Sequence, residues 1–410
     1  MRTRMKRFAL TCAVGLSYVA SLPTHPTLGV AGTAASKPTT PSSTRAGEAI
    51  ARFGFELFAR VAPSPGNACV SPLSVAMALA MAREGASGTT AQQMSATLHL
   101  GPEPSAEFSD LRRQLAPRDS AYELDIANAL WVGATTPLES AYRSKVEKSY
   151  GARLQPLDFS QPGAASDTIN AWVAKATRGR IPGLVTPGAL SPATRLVITN
   201  ATYFAGRWEH AFEKAATRDE DFHSPKATIQ APFMQATRSY GYADDARVQL
   251  LELPYAGDRL QMLLILPRSA ADLEPVERDF TLPKLNRWLA AMKERSVEVH
   301  LPRFRFDADC ALERELPALG MLDAFDPARA DFSGIDGRRD LFIGAVIHRT
   351  FVAVDEQGTT AAAATGVIMP TAIIRPMPVV FRADHPFLFV IRDPRTGVVL
   401  FLGRLEQPES

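Results

Sequence analysis

Continuous apolar runs and apolar residues at helical spacing follow one another along this chain in a definite order. Near the C-terminus, Phe387-Leu-Phe-Val-Ile391 and Val398-Val-Leu-Phe-Leu402 flank the turn Arg392-Asp-Pro-Arg-Thr-Gly397. Runs of that length without a polar break are strands buried on both faces, so the pattern predicts a core hairpin over 387–405. Arg195-Leu-Val-Ile-Thr-Asn-Ala-Thr-Tyr-Phe204, Leu260-Gln-Met-Leu-Leu-Ile-Leu266 and the alternating Val297, Val299 and Leu301 predict further strands. In the first half the spacing is helical: Ile169, Trp172, Val173 and Ala176 share a face, and Gly179 stops that helix. Ser71-Pro72 predicts a helix start, with a hydroxyl cap and proline in the first turn, and Thr90-Ala-Gln-Gln93 has capping-box spacing. Gly85 and Gly88 break the helix between them. Helices first and strands later make this an α+β chain.

One stretch fits neither period. Glu356-Gln-Gly-Thr-Thr-Ala-Ala-Ala-Ala-Thr-Gly-Val-Ile-Met369 is small and uncharged after Gly358, and a Pro-interrupted stretch at 370–378 follows it. In an extended chain one face would carry Thr359, Ala361, Ala363, Thr365, Val367 and Met369, the other Thr360, Ala362, Ala364, Gly366 and Ile368. A sheet could admit either face, so the segment can serve as a loop at one moment and a strand at another. An Ala/Thr-rich linker is the plainer reading. Against it, only about thirty residues follow, too few for a second domain, so the stretch is internal to a single domain.

Length agrees: 410 residues with 46% hydrophobic content can bury one large core. Residues 1–21 read as a secretory signal, basic at Met1-Arg-Thr-Arg-Met-Lys-Arg7 and then apolar for too short a span to cross a membrane. Cleavage is expected between 21 and 35, after Val19-Ala-Ser21 or Gly29-Val-Ala31, which makes the chain a soluble exported protein of the extracellular space or periplasm. Residues 36–46 read as a polar, proline-rich disordered leader and 47–408 as the folded domain. Loss of Arg2, Arg4, Lys6 and Arg7 with the signal takes the formal charge from +2 to about −2, and Arg112, Arg113 and Arg118 are interleaved with Glu107, Asp110 and Asp119. No nucleic acid or other polyanion partner is implied. Cys12 lies too early in the apolar core for a lipid-modified cysteine, while Cys69 and Cys310 read as buried free thiols, with a disulfide as the alternative. No nucleophile elbow, zinc helix, phosphate loop or Cys-x-x-Cys pair occurs, so neither an enzyme nor a cofactor or metal is expected.

From about Gly47 to Pro408 the chain resembles the serpins. The blocks are Asn67-Ala-Cys-Val-Ser-Pro-Leu-Ser74, Ile169-Asn-Ala-Trp-Val173, Thr177-Arg-Gly-Arg-Ile181, Asn200-Ala-Thr-Tyr-Phe-Ala-Gly-Arg-Trp208 and Glu220-Asp-Phe-His223. Leu253-Pro-Tyr-Ala-Gly-Asp258, Leu301-Pro-Arg303, Val354-Asp-Glu356 and Phe381-Arg-Ala-Asp-His-Pro-Phe-Leu-Phe389 continue them in family order. The resemblance implies three β-sheets, about nine helices and an exposed mobile reactive-centre loop at about 357–380. It further implies a suicide-substrate inhibitor of serine endopeptidases: the protease cleaves the loop, an acyl-enzyme forms, and the loop enters the large sheet as a strand. The expected hinge is Glu356, Gly358, Thr359, Ala361, Ala363 and Thr365. Gln357 and Thr360 depart from the acidic residues common there and should face solvent.

Counting sixteen residues beyond Glu356, as the family does, points to Ala372–Ile373 as the reactive bond and to an elastase- or subtilisin-like target, whose pocket selects by size. Thr371, Ile374 and Arg375 are the alternative bait positions, Arg375 for trypsin-like proteases. Arg303 with Glu356 resembles the family's ion pair at the top of the sheet, Trp208 the aromatic beneath it, and Ser71, Ser74, Asn200 and His348 the polar cluster at the sheet's centre. The expected partner is a serine protease in a covalent acyl complex, with a monomer otherwise and loop-sheet polymers as a hazard. A non-inhibitory carrier, chaperone or storage role, or inhibition of a cysteine protease, stands as the alternative.

Overall fold

The structure, a computed structural model, describes residues 41–62, 65–116, 121–186, 188–359 and 377–408. The expected signal segment and most of the expected leader lie outside them. The end of that leader does not: helix α1 (Ser42–Val61) begins inside 36–46, with Ser43 and Ala46 buried. The serines that read as unpacked chain form its first turn. Ser42 donates to Asp110 at 2.5 Å, and Ser43 accepts from Gln114 at 2.8 Å.

Helix α2 (Pro72–Glu84) is buried along its length from Pro72 to Ala82, as expected of a helix apolar all round. Ser71 occupies its N-cap, but its hydroxyl makes no capping bond. Instead its N–H donates to His348. The capping box expected at Thr90–Gln93 is also absent, because the helix Gly88–Thr97 has its N-cap three positions earlier, at Ser87. Thr90 and Gln93 instead accept from the backbone N–H groups of Asp331 and Asp323.

Among the described residues there are ten α-helices and fifteen strands, the latter numbered β1 (Ala68–Val70), β2 (Tyr122–Gly133), β3 (Arg153–Leu157), β4 (Leu196–Arg207), β5 (Arg218–His223), β6 (Thr228–Asp244), β7 (Val248–Pro254), β8 (Gln261–Pro267), β9 (Lys293–Pro302), β10 (Phe304–Ala311), β11 (Ile343–Asp355), β12 (Gly358–Thr359), β13 (Val379–Arg382), β14 (Phe387–Arg392) and β15 (Val399–Leu405). They pair into a nine-stranded sheet, β1-β15-β14-β8-β7-β6-β9-β13 with β5 also on β6, and a six-stranded sheet, β10-β11-β12-β4-β2-β3. Three sheets were expected. Two form one ladder here because β6, 17 residues long, pairs with β5 and β9 and then with β7 through its last three residues.

The predicted hairpin is β14–β15, antiparallel and buried between α1 and the six-stranded sheet. The helix Pro162–Ala176 lies on the other face of the six-stranded sheet, with Ile169 and Val173 buried against Trp131, Val197 and Ala201. Gly179 follows it at φ 77°, a conformation open to glycine. Cys69 is a buried and Cys310 a half-buried free thiol, and burial pushes the Cys310 pKa up to about 11.

Candidate functional site

The six-stranded sheet has an unusual seam. β4 and β11 run parallel and pair directly from Leu196 and Ile343 to Tyr203 and Phe351. Beyond that point β12 lies between them, antiparallel to both: Gly358 faces Asp355 and Arg207, and Thr359 faces Val354 and Gly206. The seam is therefore closed along most of its length and already parted at one end by two residues.

The turn that carries β12 back is fixed by local chemistry. The Gln357 N–H donates to Asp355 Oδ1 at 2.8 Å, and the Gln357 carbonyl accepts from the Trp208 N–H at 2.8 Å. Gly358 sits at φ 149°, and a Cβ there would meet the Gly206 carbonyl oxygen at 1.9 Å. Only glycine fits. Thr359 is buried, with its hydroxyl 2.7 Å from Tyr255 Oη, and Trp208 stacks on Tyr255 at 4.7 Å between ring centres. Trp208 Nε1 also donates to the Asp355 carbonyl at 3.0 Å.

Glu356 immediately precedes this turn and is 2% exposed. Arg303 donates to its Oε1 from both Nε, at 2.8 Å, and Nη2, and Thr217 donates to the same oxygen at 2.5 Å. Burial pushes the Glu356 carboxyl up, but the Arg303 and Thr217 hydrogen bonds outweigh it and hold the pKa below the ordinary value.

At the middle of the closed seam lies a buried polar chain. His348 Nε2 accepts from the Ser71 N–H at 2.9 Å, so the proton is on Nδ1, which donates to Asn200 Oδ1. Asn200 Nδ2 in turn donates to Ser74 Oγ and Asn128 Oδ1. Full burial depresses the His348 pKa to about 3, so the ring is neutral. His348 and Asn200 are register partners across the seam, and Asn128 faces Asn200 from β2.

The structure thus brings Arg303, Glu356, Trp208, Gly358 and Thr359 together at the parted end, and Ser71, Ser74, Asn200 and His348 at the centre. Tyr255, Thr217 and Asn128 complete these groups and were not singled out from sequence. Tyr255 stood in a recognised block without a role, and Asn128 was legible only as a lone amide among apolar residues. Ala361, Ala363, Thr365, Thr371, Ala372, Ile373, Ile374 and Arg375 lie outside the described residues. Among those described, no cluster of three His, Cys, Asp or Glu side chains could hold a metal ion, and no helix is long and apolar enough to cross a membrane.

A family model described as Serpin (serine protease inhibitor) matches residues 48–408. An uncharacterized serpin-like protein of Thermococcus kodakarensis is 41% identical over 369 residues, spanning 88% of this chain and 85% of the relative. The leukocyte elastase inhibitor of Homo sapiens is 38% identical over 371 residues, spanning 87% and 98%. Among solved structures, Serpin48 of the insect Tenebrio molitor superposes with a TM-score of 0.81 at 30% identity over 90% of this chain and all of that one. Uncleaved ovalbumin gives 0.80 at 28% identity over 88% and 100%.

Proposed function

Since the chain belongs to the serpin family, we propose that it is a suicide-substrate inhibitor of serine endopeptidases that traps its target by taking its own cleaved loop into the six-stranded sheet. The observation that carries this reading is β12, seated between β4 and β11 and antiparallel to both. A strand continuing from it would replace one parallel seam by two antiparallel ladders, the slightly stronger pairing.

The same pairing, carried forward one position at a time, sets Ala361, Ala363, Thr365 and Val367 on the inward face. Their neighbours would be Val352, Thr350, His348 and Val346 of β11, and Phe204, Thr202, Asn200 and Ile198 of β4. Small side chains meet the crowded positions, and the Thr365 hydroxyl stands between Asn200 and His348. Thr202 Oγ1, buried without a hydrogen-bond partner among the described residues, would lie beside Ala363.

In the chemistry, the protease serine attacks the Ala372 carbonyl and expels the Ile373 amine, leaving an ester that water would normally hydrolyse. Insertion from Thr359 to Ala372, at about 3.3 Å per residue, carries the linked protease roughly 45 Å before that happens. Inhibition is the outcome when insertion outruns deacylation. A small bait suits an elastase- or subtilisin-like pocket, in keeping with relatives named leukocyte elastase inhibitor.

The test is to incubate the protein separately with elastase, subtilisin and trypsin and to run denaturing gels with mass spectrometry. A band at the summed mass and a released peptide beginning at Ile373 are expected. Cleavage by every protease without such a band would overturn the proposal in favour of a non-inhibitory role. Export is the second part of the proposal and rests on residues 1–21, which precede the family match. Expression with cell fractionation should recover a processed chain outside the cytoplasm; an intact Met1 chain retained inside would contradict it.

A further inference from the structure

The outer face of the seam carries contacts that the insertion reading does not use. Arg349, on β11, donates to the Gly183 carbonyl at 2.6 Å and is held from behind by Asp309 of β10 at 3.1 Å. Two positions along, Phe351 stacks on its register partner Tyr203 of β4, centres 6.3 Å apart and planes at 22°. Arg180 lies 4.8 Å over the Tyr203 ring and Arg305 lies 5.6 Å over that of Phe351.

These contacts join two halves that are each tied internally. Gly183 belongs with the helix Pro162–Ala176, since Asn170 accepts from the N–H groups of Leu184 and Val185 at 2.8 Å each and donates to the Val185 carbonyl at 3.0 Å. That helix packs on β2 and β4, and Arg178 beyond it is paired with Glu123 and Asp125 of β2. Arg349 and Phe351 belong to β11 and, through Asp309 and Arg305, to β10. Beside the crossing lies a cavity of about 670 Å³, with Leu184, Val185 and Ala189 on one wall and Cys310, Gly344 and Ile347 on the other. Ala345 and Ile347 of β11 pack with Leu184 and Val185 beside it, and the polar and aromatic contacts add to that apolar packing.

Resting on the insertion reading, we infer that Arg349 with Gly183, and Phe351 with Tyr203, form a clasp across the seam that sets the rate at which a strand can enter. An added strand moves β4 and β11 apart by about 4.8 Å. Neither the 2.6 Å hydrogen bond nor the ring stack survives that displacement. The clasp is thus present only before insertion, and loosening it lowers the barrier without weakening the inserted form.

The experiment uses the mature chain, Arg349→Met and Phe351→Leu, with a synthetic peptide of the sequence 359–372 as the incoming strand. Both variants should take up the peptide faster, by about tenfold for Arg349→Met, which loses a charged hydrogen bond. Both should melt lower than wild type when intact and together with wild type once the loop is cut. Uptake at the wild-type rate, or an equal loss of stability in intact and cut forms, would overturn the clasp and leave these residues ordinary structural contacts. Failure of the wild-type protein itself to take up peptide would overturn the insertion reading as well.

Discussion

At the level of single residues the molecule fixes the β4–β11 seam by burying polar groups that only one arrangement can satisfy. His348 is the clearest case, neutral between the Ser71 N–H and Asn200. Its folded pKa of about 3 lies below the unfolded value near 6.5. The unfolded chain therefore binds the additional proton first as pH falls, and stability is lost progressively below pH 6.5. Between pH 6 and pH 5 this one group should contribute roughly 1 kcal/mol of that loss. Urea unfolding at the two pH values, compared with His348→Gln, checks it; an unchanged slope in the variant would show that the ring does not titrate on unfolding. Glu356 has its folded pKa lowered, so its contribution is present above about pH 4.5 and is lost below that as the carboxylate protonates. Because Arg303 is 41% exposed, Glu356→Gln should cost only about 1–2 kcal/mol at pH 7, less than a fully buried pair. Equilibrium denaturation at pH 7 and pH 4 should show the full deficit at the first and a smaller one at the second, since the contribution disappears only as pH falls through the lowered folded pKa.

Single elements explain what sequence could and could not foretell. The hairpin β14–β15, the strand β4 and the surface helix were legible because each is a long run of one period, and Ser71, Ser74, Asn200, Trp208, Arg303, His348 and Glu356 were legible through the blocks they share with a family. The start of α1 was not, since Ser42 and Ser43 are polar for reasons that only Asp110 and Gln114 reveal. Nor was β12, two residues long, whose existence depends on the neighbouring register rather than on its own side chains. Gly358 is the exception within it, and the structure gives its reason. Gly358→Ala should drive β12 out of the seam, costing about 1–3 kcal/mol from the clash and the backbone conformation; protection of the Gly358 and Thr359 amides from hydrogen exchange is the measure, and retained protection would refute it. Thr359→Arg places a guanidinium where the hydroxyl now meets Tyr255 beneath Trp208. It should abolish inhibition while leaving loop cleavage intact, and an unchanged stoichiometry of inhibition would contradict insertion.

For the molecule as a whole, the two halves of the six-stranded sheet are braced on the inner face by the Asn128–Asn200–His348 chain against α2, and on the outer face by Arg349 and the Tyr203–Phe351 stack. The parted end at β12 is where that bracing stops. If the insertion proposal holds, the sheet should gain stability when a strand enters at that end, whether from residues 360–376 of the same chain or of a second copy. The most direct measurement is the melting midpoint of the protein before and after a single cut within residues 360–376, made by a protease that leaves the rest of the chain intact. Insertion predicts a large upward shift after the cut. An unchanged or lower midpoint would mean that the severed strand stays out of the seam and that the proposed mechanism does not operate.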